Sequence, residues 1–359
     1  MACNLLKNEL FCWIIRTMAV SQRTAVMTGN MVLLWLFINT FITSVFVWSF
    51  LVTASVLAAI QYVKISPVNE SRISQNILQL FAVDKDNVKS NTIFHKAGGF
   101  HAPENTLEAV EQAITMGIPA IEIDLDFTKD GVGVLIHGPK VDATTDSKGF
   151  VSDFTFQQIQ ELNAAANDVN RNKYPVARIP TLESCIEICV RNNLVVFIDC
   201  KSNPKETAKL VTSLYAKHPK LYDLGIVCSF YPTIIYAVRK ADPNILTALT
   251  HRNLILSELG QGTERNKELW KKVISPWLDI LLSWAHWSIL WYICGNSFFL
   301  CNKDNVCLDH KKFWKGLGIR MVIWTVNSEH DKNYFLRSLN IPIITDGLYA
   351  PQNAQEHEN

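Results

Sequence analysis

FHKAGGFHAPENT, Phe94 to Thr106, and AIEIDLDFTKDGVGVLIHG, Ala120 to Gly138, decide the reading of this chain. Three short apolar runs in these stretches carry polar residues at their C-terminal ends. Thr92-Ile93-Phe94 delivers His95. Ala120 to Phe127 alternates Ile121, Ile123 and Leu125 with Glu122, Asp124 and Asp126. Val132 to Ile136 delivers His137. Alternation with a period of two puts the three acids on one face of a strand. Carboxylates that point into a packed core are costly unless something neutralises them, and a divalent cation does so. Two histidines at neighbouring strand ends then form an acid/base pair beside a metal. That is hydrolytic chemistry on a phosphate or similar ester.

Outward from this stretch, strand and helix signals alternate. After His95 the apolar spacing of Leu107, Val110, Ala113 and Ile114 predicts a helix over about 106–116, capped by Asn105 or Thr106 and ended by Gly117. Lys129-Asp130-Gly131 is a turn between the second and third strand runs. Further strands are expected at 194–200, 226–230, 245–249, 321–326 and 341–344, and helices at 154–162, 181–192 and 205–217. Eight strand runs interleaved with helices imply an α/β chain folded as a (β/α)8 barrel, whose site lies at the C-terminal ends of the strands. His95, Asp124, His137, Lys201 and Asn327 all fall at or near such ends. Glu122, Asp124 and Asp199 form the expected metal set, with Glu104 as a further ligand. Hard oxygen donors favour a divalent cation such as Mg²⁺ or Ca²⁺ over zinc, with Mg²⁺ ahead. Lys201 shares the face of Asp199 and is placed to meet a phosphate oxygen. Trp324 and Asn327 flank a strand end and line the expected substrate pocket, although Trp324 also suits plain packing.

The motif set resembles the glycerophosphodiester phosphodiesterases. It comprises His95-Lys96, Pro103-Glu104-Asn105-Thr106, Glu122-Ile123-Asp124, His137-Gly138, Asp199-Cys200-Lys201, Trp324-Thr325-Val326-Asn327 and Thr345-Asp346. The similarity runs from about residue 92 to 350. It is strongest to membrane-anchored animal members acting on glycerophosphoinositol or lysophospholipids, through Thr247 to Arg252 and Ile289 to Tyr292. The resemblance implies a barrel over 91–350 and a substrate with glycerol on one side of a phosphodiester. The products are then glycerol 3-phosphate and an alcohol, or a lysophosphatidic acid. Lys96 stands where the family has Arg, Gly138 where it has Asp, and Ala143 where it usually has Arg. A lysine keeps the charge at 96, and with it a phosphate contact, but loses the bidentate grip. These departures leave open an alternative, a weakened or inactive membrane-tethered phosphoester-binding protein on the same barrel.

Residues 1–90 stand apart. The sequence predicts a tail over 1–30, a transmembrane helix over 31–63 and a linker over 64–90, with a further tail at 351–359. Met31 to Val63 holds no Asp, Glu, Lys or Arg, which is long enough to span a bilayer with tilt. Lys7, Arg16 and Arg23 precede it and Asn69-Glu70-Ser71 is a glycosylation sequon after it, so a single-pass protein with an extracytoplasmic catalytic domain is expected. A second apolar stretch, 273–301, is rich in tryptophan. It is expected as an amphipathic insertion lying in the membrane interface, or as an outer helix packed on the barrel. A true second span would divide the strands between two sides of the membrane. The 34 basic residues balance 33 acidic ones, which gives no nucleic-acid footprint. The nine cysteines show no regular framework.

Overall fold

The computed structural model describes residues 23–41, 46–82, 87–260 and 263–349. Of the tail expected over 1–30, residues 1–22 lie outside the described residues, as does the tail expected over 351–359. The strands, in chain order, are β1 (Thr92–Phe94), β2 (Ala120–Phe127), β3 (Gly133–Leu135), β4 (Val195–Cys200), β5 (Gly225–Ser229), β6 (Thr247–His251), β7 (Glu258–Gly260), β8 (Thr263–Glu264), β9 (Phe298–Asn302), β10 (Arg320–Trp324) and β11 (Ile343–Thr345). Eight of them, β1, β2, β4, β5, β6, β9, β10 and β11, make the parallel barrel, and the β1–β2 pairing closes it. By contacts the chain falls into two compact units, residues 68–250 with 322–359 and residues 1–67 with 251–321.

The first of these units holds the signature residues. β2 pairs in parallel with β1 and β4, β4 with β5, β5 with β6, and β1 and β10 with β11. Register puts Asp124 opposite Asp199 on neighbouring strands. All six residues of β4 are buried, as a barrel strand covered on both faces requires. The helix Leu107–Thr115 starts where the Thr106 hydroxyl accepts the N–H of Ala109.

Two strand expectations need correction. Val132 to Ile136 is not a barrel strand: its core, β3, runs antiparallel to β2. The turn at Lys129-Asp130-Gly131 is too short for the crossover that parallel pairing demands. The eighth barrel strand is instead β9, at the end of the apolar stretch read as an interfacial insertion. Phe298, Phe299, Leu300 and Cys301 are all buried, so this part of 273–301 is barrel wall.

The other unit contains two N-terminal helices, Arg23–Phe41 and Phe46–Val63, where one helix over 31–63 was expected; residues 42–45 lie outside the described ones. Among the described residues no helix is long and apolar enough to cross a membrane. In the same unit the helix Leu269–Ala285 exposes Trp270, Trp277 and Trp284 at intervals of seven, one stripe along its length. Trp277 is 72% exposed, whereas Trp287 and Trp291 are buried. Asp279, inside this apolar helix, is satisfied by the backbone N–H groups of Leu256 and Ser257 at 2.8 and 3.0 Å. Gly295 sits at φ +61°, and a Cβ there would lie 2.3 Å from the Ile65 carbonyl oxygen. The Ile65 N–H donates to the Ile293 carbonyl at 2.9 Å beside it. Gly295→Ala is therefore expected to lower stability by about 1–3 kcal/mol. Gly131→Ala, also at positive φ but with open space around it, should lose less. Thermal unfolding of the two variants side by side checks this.

Candidate active site

The site gathers at the C-terminal ends of β1, β2, β4 and β11. Glu122, Asp124 and Asp199 are buried, and an oxygen from each lies within 4.8 Å of the others. Each is held by a different device. Glu122 Oε2 accepts the backbone N–H of Lys96 at 3.0 Å. Lys96 adopts a left-handed conformation, φ 51°, at the tight bend after β1. Asp124 is clamped by Asn105, whose Nδ2 donates to Oδ2 while its Oδ1 accepts the Asp124 N–H, both at 2.9 Å. Asn105 therefore does not cap the following helix, and Thr106 takes that role. Asp199 pairs with Lys201 Nζ at 3.0 Å, and Lys201 also donates to Asp124 Oδ1.

Electrostatics separate the three acids. Burial and the charges of Asp124 and Asp199 push the Glu122 carboxyl up to about 8, against the pull of His95 and Lys201. Burial, with the Asp124 charge behind it, likewise raises Asp199, although Lys201 opposes. Burial would raise Asp124 too, but Lys201 beside it holds its carboxyl well below the ordinary range. Burial tends to lower Lys201, yet the surrounding acids keep its ammonium charged far above the usual value.

His95 occupies the end of β1. Its Nδ1 meets Asp346 Oδ1 at 2.6 Å, and its Nε2 lies 3.9 Å from Glu122 Oε2. Burial alone would lower its pKa, but the hydrogen bond to Asp346 and the charge of Glu122 raise it. Asp346 is fixed in turn by Asn327, whose Nδ2 donates to Oδ2 at 2.6 Å and whose Oδ1 accepts the Asp346 N–H at 3.0 Å. His137 follows β3 and is exposed overall, yet withdrawal of its ring from water lowers its pKa to about 4, with the Asp124 charge pulling the other way and Lys201, Lys96 and His95 adding to the fall.

Several expected residues take other positions. Glu104 lies outside the three-carboxylate group and holds Lys96 Nζ at 2.9 Å. Asn327 sits behind His95 and orients Asp346. Trp324 packs edge-on against Phe230, ring centroids 5.4 Å apart. Two residues that the site needs were missed as site residues, Asp346 and Asn105. Both stood in quoted motifs, Thr345-Asp346 and Pro-Glu-Asn-Thr; an acid one residue past the last strand was the available signal.

The match to known proteins follows this geometry. The model of the glycerophosphoryl diester phosphodiesterase family matches residues 95–349. The chain belongs to that family. Glycerophosphodiester phosphodiesterase 1 of Mus musculus is 41% identical over 296 residues, 82% of this chain and 87% of the mouse protein. The human counterpart is 40% identical over 298 residues, 83% of this chain and 88% of its own. Among solved structures, a phosphodiesterase from Oleispira antarctica, in complex with the product sn-glycerol-3-phosphate, has a TM-score of 0.55 at 20% identity. That match covers 74% of this chain and 95% of the other, and it shows the shared fold. As a member of the glycerophosphoryl diester phosphodiesterase family, the protein is a phosphoric diester hydrolase.

The acid cluster suits the divalent cation expected of such a site. The donors are all hard oxygens. Asp199 Oδ1 is buried without a hydrogen-bond donor among the described residues. An orphaned buried acceptor is costly, and a cation is the group that would satisfy it.

Proposed function

We propose that this protein is a metal-dependent glycerophosphodiester phosphodiesterase that releases glycerol 3-phosphate and an alcohol, or a lysophosphatidic acid where the glycerol keeps an acyl chain. The observation that carries the reading is the convergence of Glu122, Asp124 and Asp199 with His95 and His137 at one end of the barrel. Those three carboxylates would hold Mg²⁺ in preference to Ca²⁺, and such an ion supplies charge neutralisation for the phosphorane-like transition state. Asp346 fixes His95 with Nδ1 occupied, so Nε2 is the nitrogen turned to the reaction. Of the two histidines, one takes the proton of the attacking hydroxyl and the other gives one to the leaving alcohol. Lys201 neutralises Asp124 and Asp199 and is within the same cluster to meet a phosphate oxygen. Lys96, braced by Glu104, offers a second cation to the phosphate.

The test is release of glycerol 3-phosphate from glycerophosphoinositol, glycerophosphoethanolamine and lysophospholipids with and without Mg²⁺. Turnover that needs Mg²⁺ and stops with chelator is the expected result. Binding of the diesters without turnover would instead support the phosphoester-binding alternative.

The same reading places the protein at a membrane. The uncharged run 31–63 supports a single-pass anchor, the basic residues before it and the Asn69-Glu70-Ser71 sequon after it support an extracytoplasmic catalytic domain, and the exposed stripe of Trp270, Trp277 and Trp284 supports contact with a lipid interface. Lysophospholipids would then be taken from the bilayer. Glycosylation tags after Asn69 and after Asn359 are expected on the same side of the membrane. Tags on opposite sides would overturn this topology.

A further inference from the structure

The imidazole of His101 touches both segments that carry the His95–Asp346 pair, and no step above uses it. Its ring stacks on Phe94, the residue before His95, with centroids 5.4 Å apart and planes 24° from parallel. Its Nε2 accepts the N–H of Leu348, two residues past Asp346, at 3.2 Å. The turn that presents His101 is closed by its own N–H, which donates to the Gly98 carbonyl at 2.9 Å. One residue earlier, the Phe100 N–H donates to the Asp346 carbonyl at 3.0 Å. The carbonyl and the N–H of a trans peptide point opposite ways. The Gly347–Leu348 peptide therefore sends its N–H to His101 and its carbonyl to the buried Lys332, whose ammonium donates to it at 2.8 Å. Gly347 permits the close approach: a Cβ there would lie 2.7 Å from His101 Nε2 and 2.9 Å from Phe100 Cβ.

We infer that His101 is a positioning residue, which pins the segment after β11 to the end of β1 and so keeps Asp346 on His95 Nδ1. The inference rests on the hydrolase reading above, in which His95 moves a proton. The register of β1 and β11 ends at Phe94 and Thr345, one residue short of His95 and Asp346. Past that point the ladder no longer fixes the two segments, and the reacting pair comes next. Asn327 orients Asp346, but it stands after β10, on the same side as Asp346. Phe100 and His101 reach across from the β1 side. The task sets the state of the ring. Nε2 must offer a lone pair, so the proton of the neutral imidazole sits on Nδ1. Burial, with the charges of Lys332 and Lys173, lowers the His101 pKa and keeps that lone pair free. A phenylalanine at 101 would keep the stack on Phe94 and lose the acceptor. A glutamine would lose the stack and bring an acceptor, Oε1, about as far from the backbone as Nε2. Misplacement of a proton-transfer group by about 1 Å can cost on the order of 10² in rate, so a small slip of Asp346 registers in turnover.

The experiment measures kcat and KM for release of glycerol 3-phosphate by the full chain with Mg²⁺. Its substrate is whichever of glycerophosphoinositol and glycerophosphoethanolamine turns over faster. His101→Phe is expected to lower kcat about tenfold, the scale of a lost supporting partner, with KM changed less than about twofold. His101→Gln should recover most of that loss. Added to Asp346→Ala, His101→Phe should cost nothing further, because the contact it supports is already gone. A loss of folded protein would instead multiply through both backgrounds. Gly347→Ala, which forces the two segments apart, reads the same effect by a second route if His101→Phe does not fold. Wild-type kcat in both His101→Phe and Gly347→Ala overturns the positioning role and leaves the hydrolase reading intact. Equal fractional losses with and without Asp346 overturn it too, since His101 then serves the fold alone. Full activity in His95→Ala, or no turnover of either diester by wild type, overturns the hydrolase reading itself.

Discussion

His95→Ala is expected to lower kcat for release of glycerol 3-phosphate by about 10² to 10⁴, and His137→Ala by a loss in the same range. Acid and base are separate tasks, so neither histidine substitutes for the other. The two are held differently. His95 is clamped between Asp346 and Glu122, while His137 stands exposed at the end of the β3 arm. Asp346→Asn keeps the shape but removes the charge that raises His95. A histidine whose pKa is raised carries its proton to higher pH, and losing the partner brings the proton off earlier. If His95 acts protonated, Asp346→Asn should move the limb of the pH–rate profile that falls with rising pH toward lower pH. Steady-state rates across pH, with circular dichroism to confirm folding, decide the matter. Near-full activity in His137→Ala would sink the assignment.

Glu122→Gln and Asp124→Asn are each expected to abolish metal-dependent turnover while the barrel survives. Losing a ligand should weaken Mg²⁺ binding by about 10²-fold or more. Asn105→Ala, which only frees Asp124 to rotate, should cost about 10- to 100-fold. Isothermal titration with Mg²⁺ measures both. The site also has a pH signature. Glu122 is pushed up to about 8 in the metal-free protein, so it is largely protonated at pH 7. A cation binds the ionised form, so loading displaces about one proton at that pH, and affinity falls as pH drops below 8. In Glu122→Gln that proton release should disappear. Unchanged titrations in both ligand variants would refute the three-carboxylate site.

The alternation of Glu122 and Asp124 was legible because a strand face has no other period, and the Asp124–Asp199 register then brought the third acid in. Strand identity was harder. Val132 to Ile136 and Phe298 to Asn302 are both short apolar runs, and side-chain pattern does not state which neighbour a strand pairs with. The turn length before β3 held the answer for the first. The tryptophans upstream of β9 disguised the second, because a strand buried on both faces and a lipid-facing stretch are written in the same residues. Glu104 and Asn327 were placed in the right neighbourhood, but the contacts the fold gives them, with Lys96 and Asp346, were not legible. A polar residue near a strand end can face the reaction or brace a residue that does, and only the hydrogen bonds of the folded chain separate the two.

The clamp on His95 has a bearing on how the enzyme is made. Residue 95 leaves the ribosome early, and its Asp346 partner arrives some 250 residues later on β11, the strand that pairs with β1. A nascent chain halted before that point already carries all three acids and both histidines, yet its first histidine has nothing to orient it. Competence therefore arrives at one moment, when the last strand docks beside the first. A partly synthesised or C-terminally clipped chain would be poorly equipped to cut a phosphodiester.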